Sequence, residues 1–218
     1  MSFIFFRNTT GRIRRKTQKH LETYSKPSID FFVLIACASA LISLGLLLDN
    51  TAIVIGGMVV APLITPFFGF SLNFLLLKPW GMLRALLSIF LGTTLAIAIA
   101  FVIGQLTILL YNKDSILTSE IMSRTQPDTL YFLVAVISGL VGTFAYGKKE
   151  LTEKVVGIAI SAAIVPPLAV AGLALAIDNI NFFSQSTLLF FINMIGIFIG
   201  SIIMFLLLGF GKDIQEIN

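Results

Sequence analysis

The chain has 218 residues, a length for one or two domains, with 57% of them hydrophobic and only 12% charged. Soluble domains run at roughly 45–50% and roughly 25%, so too few charges remain to coat a water-facing surface. A soluble enzyme, a disordered chain and a nucleic-acid binder are excluded despite the formal charge of +4. The single cysteine, Cys37, and the single histidine, His20, exclude a disulfide framework and zinc chemistry. The composition is that of an all-α integral membrane protein whose surroundings are lipid bilayer, with no cofactor expected.

Residues 1–28 form a basic tail carrying Arg7, Arg12, Arg14, Arg15, Lys16, Lys19 and Lys26. With Phe3, Phe5, Phe6 and Leu21 nearby, it suits an interfacial helix on anionic lipid or, more simply, a topology anchor. Crossing about 30 Å of hydrocarbon takes roughly 20 apolar residues. Six stretches qualify, at about 29–48, 51–77, 85–110, 130–147, 155–177 and 186–210. The first follows a basic tail, as a signal peptide would, but it is of full spanning length and lacks a convincing cleavage site. It reads as a retained signal-anchor. The predicted organisation is the tail, a first three-helix unit over 29–110, an external loop over 111–129, a second three-helix unit over 130–211 and a C-terminal tail over 212–218.

Lysine and arginine set the orientation. With six full spans, the tail cations, Lys78, Arg84, Lys148, Lys149, Lys154 and Lys212 share one side, and only Lys113 and Arg124 lie on the other. Both termini are then cytoplasmic. A rival arrangement makes the second and fifth segments re-entrant hairpins; it splits the cations ten to five, a weaker bias.

A shift of 101 residues pairs the first three spans with the last three without gaps. Across 51–72 it matches Thr51 with Thr152, Val54 with Val155, Gly56 with Gly157, Ala61 with Ala162, Pro66 with Pro167 and Leu72 with Leu173. Each unit holds an odd number of spans, so the second must enter the membrane from the opposite side. Inverted repeats of this kind recur among transporters, with binding sites where interrupted helices of the two halves meet.

Both middle segments carry paired prolines: Pro62 and Pro66 in the second, Pro166 and Pro167 in the fifth. Proline lacks an N–H and clashes with the carbonyl four residues earlier, so a kink or break is expected in each. Carbonyls freed there must be buried in protein or line a wet cavity. Asn50, Thr65, Ser161 and Asn193 are the main side chains able to join them, with Ser39 and Ser43 on the first span. Two ordinary packing kinks are the plain alternative. Asp30, Asp49, Asp128 and Asp178 fall at span ends and no Asp, Glu, Lys, Arg or His lies deeper in a span, so neither a midplane proton relay nor catalysis is expected. Gly92, Ala96, Ala100 and Gly104 recur every four residues on the third span, and Gly196 and Gly200 form a GxxxG on the sixth. Such stripes allow close helix approach, within the chain or in a homo-oligomer.

Asn50 through Gly56-Gly57-Met58 to Ala61-Pro62-Leu63-Ile64-Thr65-Pro66 resembles the hydrophobic membrane family called domain of unknown function 389. So do Arg124-Thr125-Gln126-Pro127-Asp128 with Gly139 and Gly142, and Gly157-Ile158-Ala159-Ile160 leading to Val165-Pro166-Pro167-Leu168-Ala169-Val170, with Asn193 downstream. The resemblance implies a protein of a prokaryotic plasma membrane and adds Arg124, Pro127 and Asp128 to the residues of interest, at an entrance or paired with each other. The expected function is a transporter or channel for a small solute or ion. Its site would lie at the midplane between two broken helices, lined by Asn50, Pro62, Thr65, Pro66, Ser161, Pro166, Pro167 and Asn193, with Arg124 and Asp128 at the entrance. The alternative is a non-transporting membrane scaffold or assembly factor.

Overall fold

A computed structural model describes residues 11–111, 116–126, 128–147 and 153–210, and the side chains at 11–14, 23–24, 147 and 153–163 lie outside that description. Arg7, Lys113, Pro127, Lys148, Lys149 and Lys212 are therefore outside it, as are the side chains of Arg12, Arg14, Lys154 and Ser161. The described residues form helices α1 (Gly11–Tyr24), α2 (Ile29–Leu47), α3 (Thr51–Val60), α4 (Ile64–Leu75), α5 (Pro79–Leu110), α6 (Ser119–Met122), α7 (Thr129–Gly147), α8 (Glu153–Ala176) and α9 (Ile180–Leu207). Four of them, α2, α5, α7 and α9, are long and apolar enough to cross a membrane. The pair α3–α4, bent by 51°, makes a fifth if it counts as one span. In α8 the described apolar part, Ile164–Ala176, is shorter. The chain has the build of an all-α membrane protein.

Local chemistry explains the helix ends. Ser28 caps α2 by accepting from Phe31 N–H at 3.2 Å, Asn50 caps α3 through Ala52 and Ile53 at 3.0 and 3.2 Å, and Asn179 caps α9 through Phe182 at 3.1 Å. Helices α2, α4 and α8 stop at left-handed residues, Asp49 (φ 51), Leu77 (φ 53) and Asp178 (φ 56). The following N–H then reaches back, Asn50 to Gly45, Lys78 to Asn73 and Asn179 to Ala174, at 2.9–3.0 Å, and serves a last-turn carbonyl. Pro79 opens α5, where a missing N–H costs nothing. The stretch 78–84, expected as a loop, is thus mostly the first turns of α5.

The second segment breaks and the fifth does not. Ala61, ahead of Pro62, is extended (φ −70, ψ 120), as the ring of a following proline demands. Its N–H turns back to Met58 O at 3.3 Å, and α3 ends. Pro66 falls in the first turn of α4, where no N–H is needed. Pro166 and Pro167 instead lie inside one continuous helix, so the expected interruption of the fifth segment is not found. Adjacent prolines remove only the donors for carbonyls 162 and 163, and packing holds α8 together: every residue from 164 to 174 is buried. This helix touches α2, α3, α4, α5, α7 and α9, the central position that a helix apolar on all faces requires.

Close backbone approach sets the helix directions. Ser88 Oγ donates to Ser25 O and Ser39 Oγ to Ala96 O, both at 2.6 Å, so α2 and α5 run parallel. A Cβ on Gly196 would meet Phe132 O at 3.0 Å and one on Gly200 Val136 O at 2.1 Å, while Thr143 bonds Ser201 at 2.6 Å; α7 and α9 are parallel too. Gly92 and Ala96 face α2, Ala100 and Gly104 face α8, and Gly196 and Gly200 face α7. Both small-residue stripes are used within one chain.

The bundle has two distinct ends. At the tail end α1 packs on α4 and on the end of α7, with Leu21 buried and Thr17 Oγ1 donating to Tyr146 O at 3.0 Å. At the loop end Thr118 Oγ1 donates to Leu46 O at 2.7 Å, and Asp49 accepts from Ser119 Oγ and Glu120 N–H at 2.7–2.8 Å. Helix α2 therefore runs antiparallel to α7.

Candidate functional site

The second and fifth segments meet, α3 packing on α8. At the break Leu63, Ile64 and Pro66 are buried and Pro62 is half-buried. Leu63 lies against Gly92 together with Phe31 and Ile35, so the break is level with the first turns of α2, towards the tail end. Thr65 is its polar centre. The Thr65 hydroxyl pairs with Tyr146 Oη at 3.0 Å, and its carbonyl accepts from Ser25 Oγ at 3.2 Å. One turn on, Gly69 leaves the room that Ser25 fills, since a Cβ there would lie 1.9 Å from Ser25 Oγ. Phe68 stands edge-on to Tyr146, with ring centres 5.2 Å apart.

Pro166 and Pro167 are buried in α8, and the Ser161 backbone precedes them in the same helix. Asn193 is buried in α9, three residues before Gly196 and its contact with α7; a deep amide in an apolar helix depends on its partners. Ser39 is spent on Ala96 O. Ser43 Oγ is fully buried with no hydrogen-bond partner among the described residues. No three of His, Cys, Asp and Glu gather among the described residues as a metal cluster would.

Asn50 does not join this group. It sits exposed at the loop end with its Oδ1 committed to the α3 cap, the whole length of α3 away from Thr65 at the start of α4. Arg124 and Asp128 are at the loop end as well, but they do not pair. Arg124 Nη1 binds Glu120 Oε2 at 2.5 Å and Glu120 O at 2.6 Å, while Asp128 Oδ1 caps α7 through Leu130 N–H at 2.8 Å. Glu120 also bonds Thr51 Oγ1. The Glu120 N–H and the Ser119 hydroxyl hold the Asp49 carboxyl below its ordinary value. Sequence reading missed Glu120, Ser119, Tyr146 and Ser25. The Asp49-Asn50-Thr51 run was the one local signal available, a helix-cap signature.

The family model described as a domain of unknown function, DUF389, matches residues 58–199. The chain belongs to that family. An uncharacterised protein of Methanocaldococcus jannaschii is 27% identical over 161 residues, covering 74% of this chain and 48% of the relative. The chain thus spans about half the length of that relative. No solved structure matches at a significant level. The DUF389 match takes in the break, both prolines of α8, Arg124, Asp128 and Asn193, and leaves Asn50 outside.

Proposed function

We propose that the chain is a transporter or channel for a small solute or ion, made of two inverted three-helix halves with both termini cytoplasmic. The observation that carries this reading is the packing of the broken second segment on the proline-bearing fifth, α3 on α8, because backbone groups freed at a break must be buried in protein or line a wet cavity. The register supports it. A shift of 101 residues carries Leu77 and Lys78, the left-handed stop and the cap before α5, onto Asp178 and Asn179 before α9. In each half the first and third helices run parallel, α2 with α5 and α7 with α9. The route runs past Pro62, Thr65 and Pro66 from one half and Ser161, Pro166, Pro167 and Asn193 from the other, with Asn50, Arg124 and Asp128 at its loop-end mouth. With Thr65 tied to Ser25 and Tyr146, this is a closed form.

The scaffold reading is favoured by a different observation. Cβ atoms on Gly139, Gly172 and Gly200 would lie 2.1–2.4 Å from backbone oxygens of neighbouring helices, which is rigid packing. Homo-oligomerisation, expected from the small-residue stripes, would need other faces. Uptake into proteoliposomes, against a panel of ions and small metabolites, decides between the readings. Pro62→Ala should rejoin α3 to α4 and cut flux by about tenfold or more; Asn193→Leu should cut flux with the break intact. A Pro62→Ala protein that assembles normally and transports as fast as wild type removes the break from the route, and a wild type that takes up nothing from the panel leaves the scaffold.

A further inference from the structure

A basic pocket of about 590 Å³ opens at the tail end between α1, the α4–α5 turn and the first turns of α5. Its walls carry Lys19, Lys26, Lys78 and Arg84 against one carboxylate, Glu22. Glu22 is already engaged, accepting from Gln18 Nε2 at 2.9 Å and from Lys78 Nζ at 3.0 Å. Burial alone would raise its pKa, but those two bonds and the charges of Lys78 and Lys26 outweigh it, so Glu22 titrates below its ordinary value. Lys19, Lys26 and Arg84 have no salt-bridge partner among the described residues. The site therefore holds a surplus of positive charge.

The backbone adds to this charge. Helix α5 starts without a side-chain cap, and Trp80 and Gly81, in its first turn, line the pocket; uncapped N–H groups at a helix start favour an anion. A Cβ on Gly81 would lie 2.1 Å from Oδ1 of the buried Asn73, so a larger residue there would have to displace that side chain.

Apolar groups surround this polar floor in an unusual way. Leu77 is 75% exposed and Trp80 74% exposed. Leu77 also holds the left-handed conformation, which disfavours a residue with a Cβ. Trp80, Leu83, Arg84 and Leu87 follow at helical spacing on one exposed face of α5. A cationic hollow bordered by an outward tryptophan and leucines, at the end of an apolar bundle, matches a lipid headgroup above and its acyl chains below. We propose that this pocket binds the phosphate of an anionic phospholipid, with Lys26, Lys78 and Arg84 on the headgroup and Leu77, Trp80, Leu83 and Leu87 along the acyl chains. A soluble phosphate would explain the cations but not the exposed Leu77 and Trp80.

Trp80 is the only tryptophan in the chain, which makes its fluorescence a reporter of this pocket. The full chain is reconstituted into vesicles of phosphatidylcholine and phosphatidylglycerol, with one or the other brominated on its acyl chains. Brominated phosphatidylglycerol should quench Trp80 more strongly than brominated phosphatidylcholine at equal mole fraction. Replacing Lys26, Lys78 and Arg84 with Gln should lower the relative binding constant by roughly fivefold per cation. Arg15→Gln with Lys16→Gln, on exposed residues outside the pocket, should leave it unchanged. Equal quenching by the two lipids in wild type overturns the proposal. So does an equal loss in both variants, which would mean diffuse surface charge. Inorganic phosphate or glycerol 3-phosphate that abolishes the preference would assign the pocket to a soluble anion and overturn the lipid.

Discussion

The segments α3–α4 and α8 carry two prolines each, yet one is bent by 51° and the other is a single helix. Their surroundings differ as much as their spacing. Thr51, Ala52, Ile55, Gly56 and Val59 of α3 are exposed, whereas 164–174 of α8 are all buried. Pro62 forces Ala61 out of the helical region where one face has no protein neighbours to resist, and Pro66 then costs nothing as part of a new first turn. The adjacent Pro166 and Pro167 fall in a fully buried stretch of a helix that is surrounded by six others. Proline placement proposes a break, and packing decides whether it opens.

The largest expected effect that tests this contrast comes from the glycines of the two segments. A Cβ on Gly172 would lie 2.4 Å from Ile97 O, while one on Gly56 would meet nothing within 4 Å. Gly172→Ala should therefore destabilise by about 1–3 kcal/mol through forced separation of α5 and α8. Gly56→Ala should be neutral or stabilising by up to about 1 kcal/mol. Denaturation in mixed micelles measures both, and equal effects would dissolve the distinction between enclosed and open segments.

A smaller, geometric effect is expected at the prolines themselves. Spin labels at residues 52 and 74, both exposed, in a Cys37→Ser background, report the length of the α3–α4 pair. Pro62→Ala should lengthen it by about 3 Å as the bend straightens, given a rise of about 1.5 Å per residue. No lengthening would mean that tertiary contacts hold the bend without the proline.

The smallest effect concerns how α3 is anchored. The turns before α3 and before α9 share one device, a left-handed aspartate followed by an asparagine cap, at Asp49-Asn50 and Asp178-Asn179. Asp49 also holds Ser119 and Glu120. Its carboxyl titrates lower in the folded chain than in the unfolded one, so its contribution is complete above the unfolded value of about 4. It is lost as pH falls through the lower folded value. Hydrogen exchange at the Glu120 amide should be protected to the same degree, after correction for intrinsic rate, between pH 5 and about pH 7, and lose protection only below about pH 4. Asp49→Asn should flatten that acid response. Protection lost already near neutrality would point to another group.

Much of this molecule is written within a few residues of itself. The 57% hydrophobic content sets the solvent, the apolar runs set the long helices to within six residues at their ends, and Pro62 sets the break through its own ring and the residue beside it. Asn50 and Asn179 cap their helices by reaching two or three residues ahead. These are covalent, steric and solvation rules of short range, and a sequence displays them directly. Continuity of α8 through Pro166 and Pro167 is of another kind, since it rests on helices from across the chain. So do the closure of Thr65 by Ser25 and Tyr146, 40 and 81 residues away, and the pairing of Glu120 with Thr51, 69 residues away. The pocket that joins α1 cations to Trp80 and Arg84 belongs there too. Hydrogen bonds and charge pairs act over a few ångströms, and nothing in the order of residues says which distant groups come within that reach until the helices have packed.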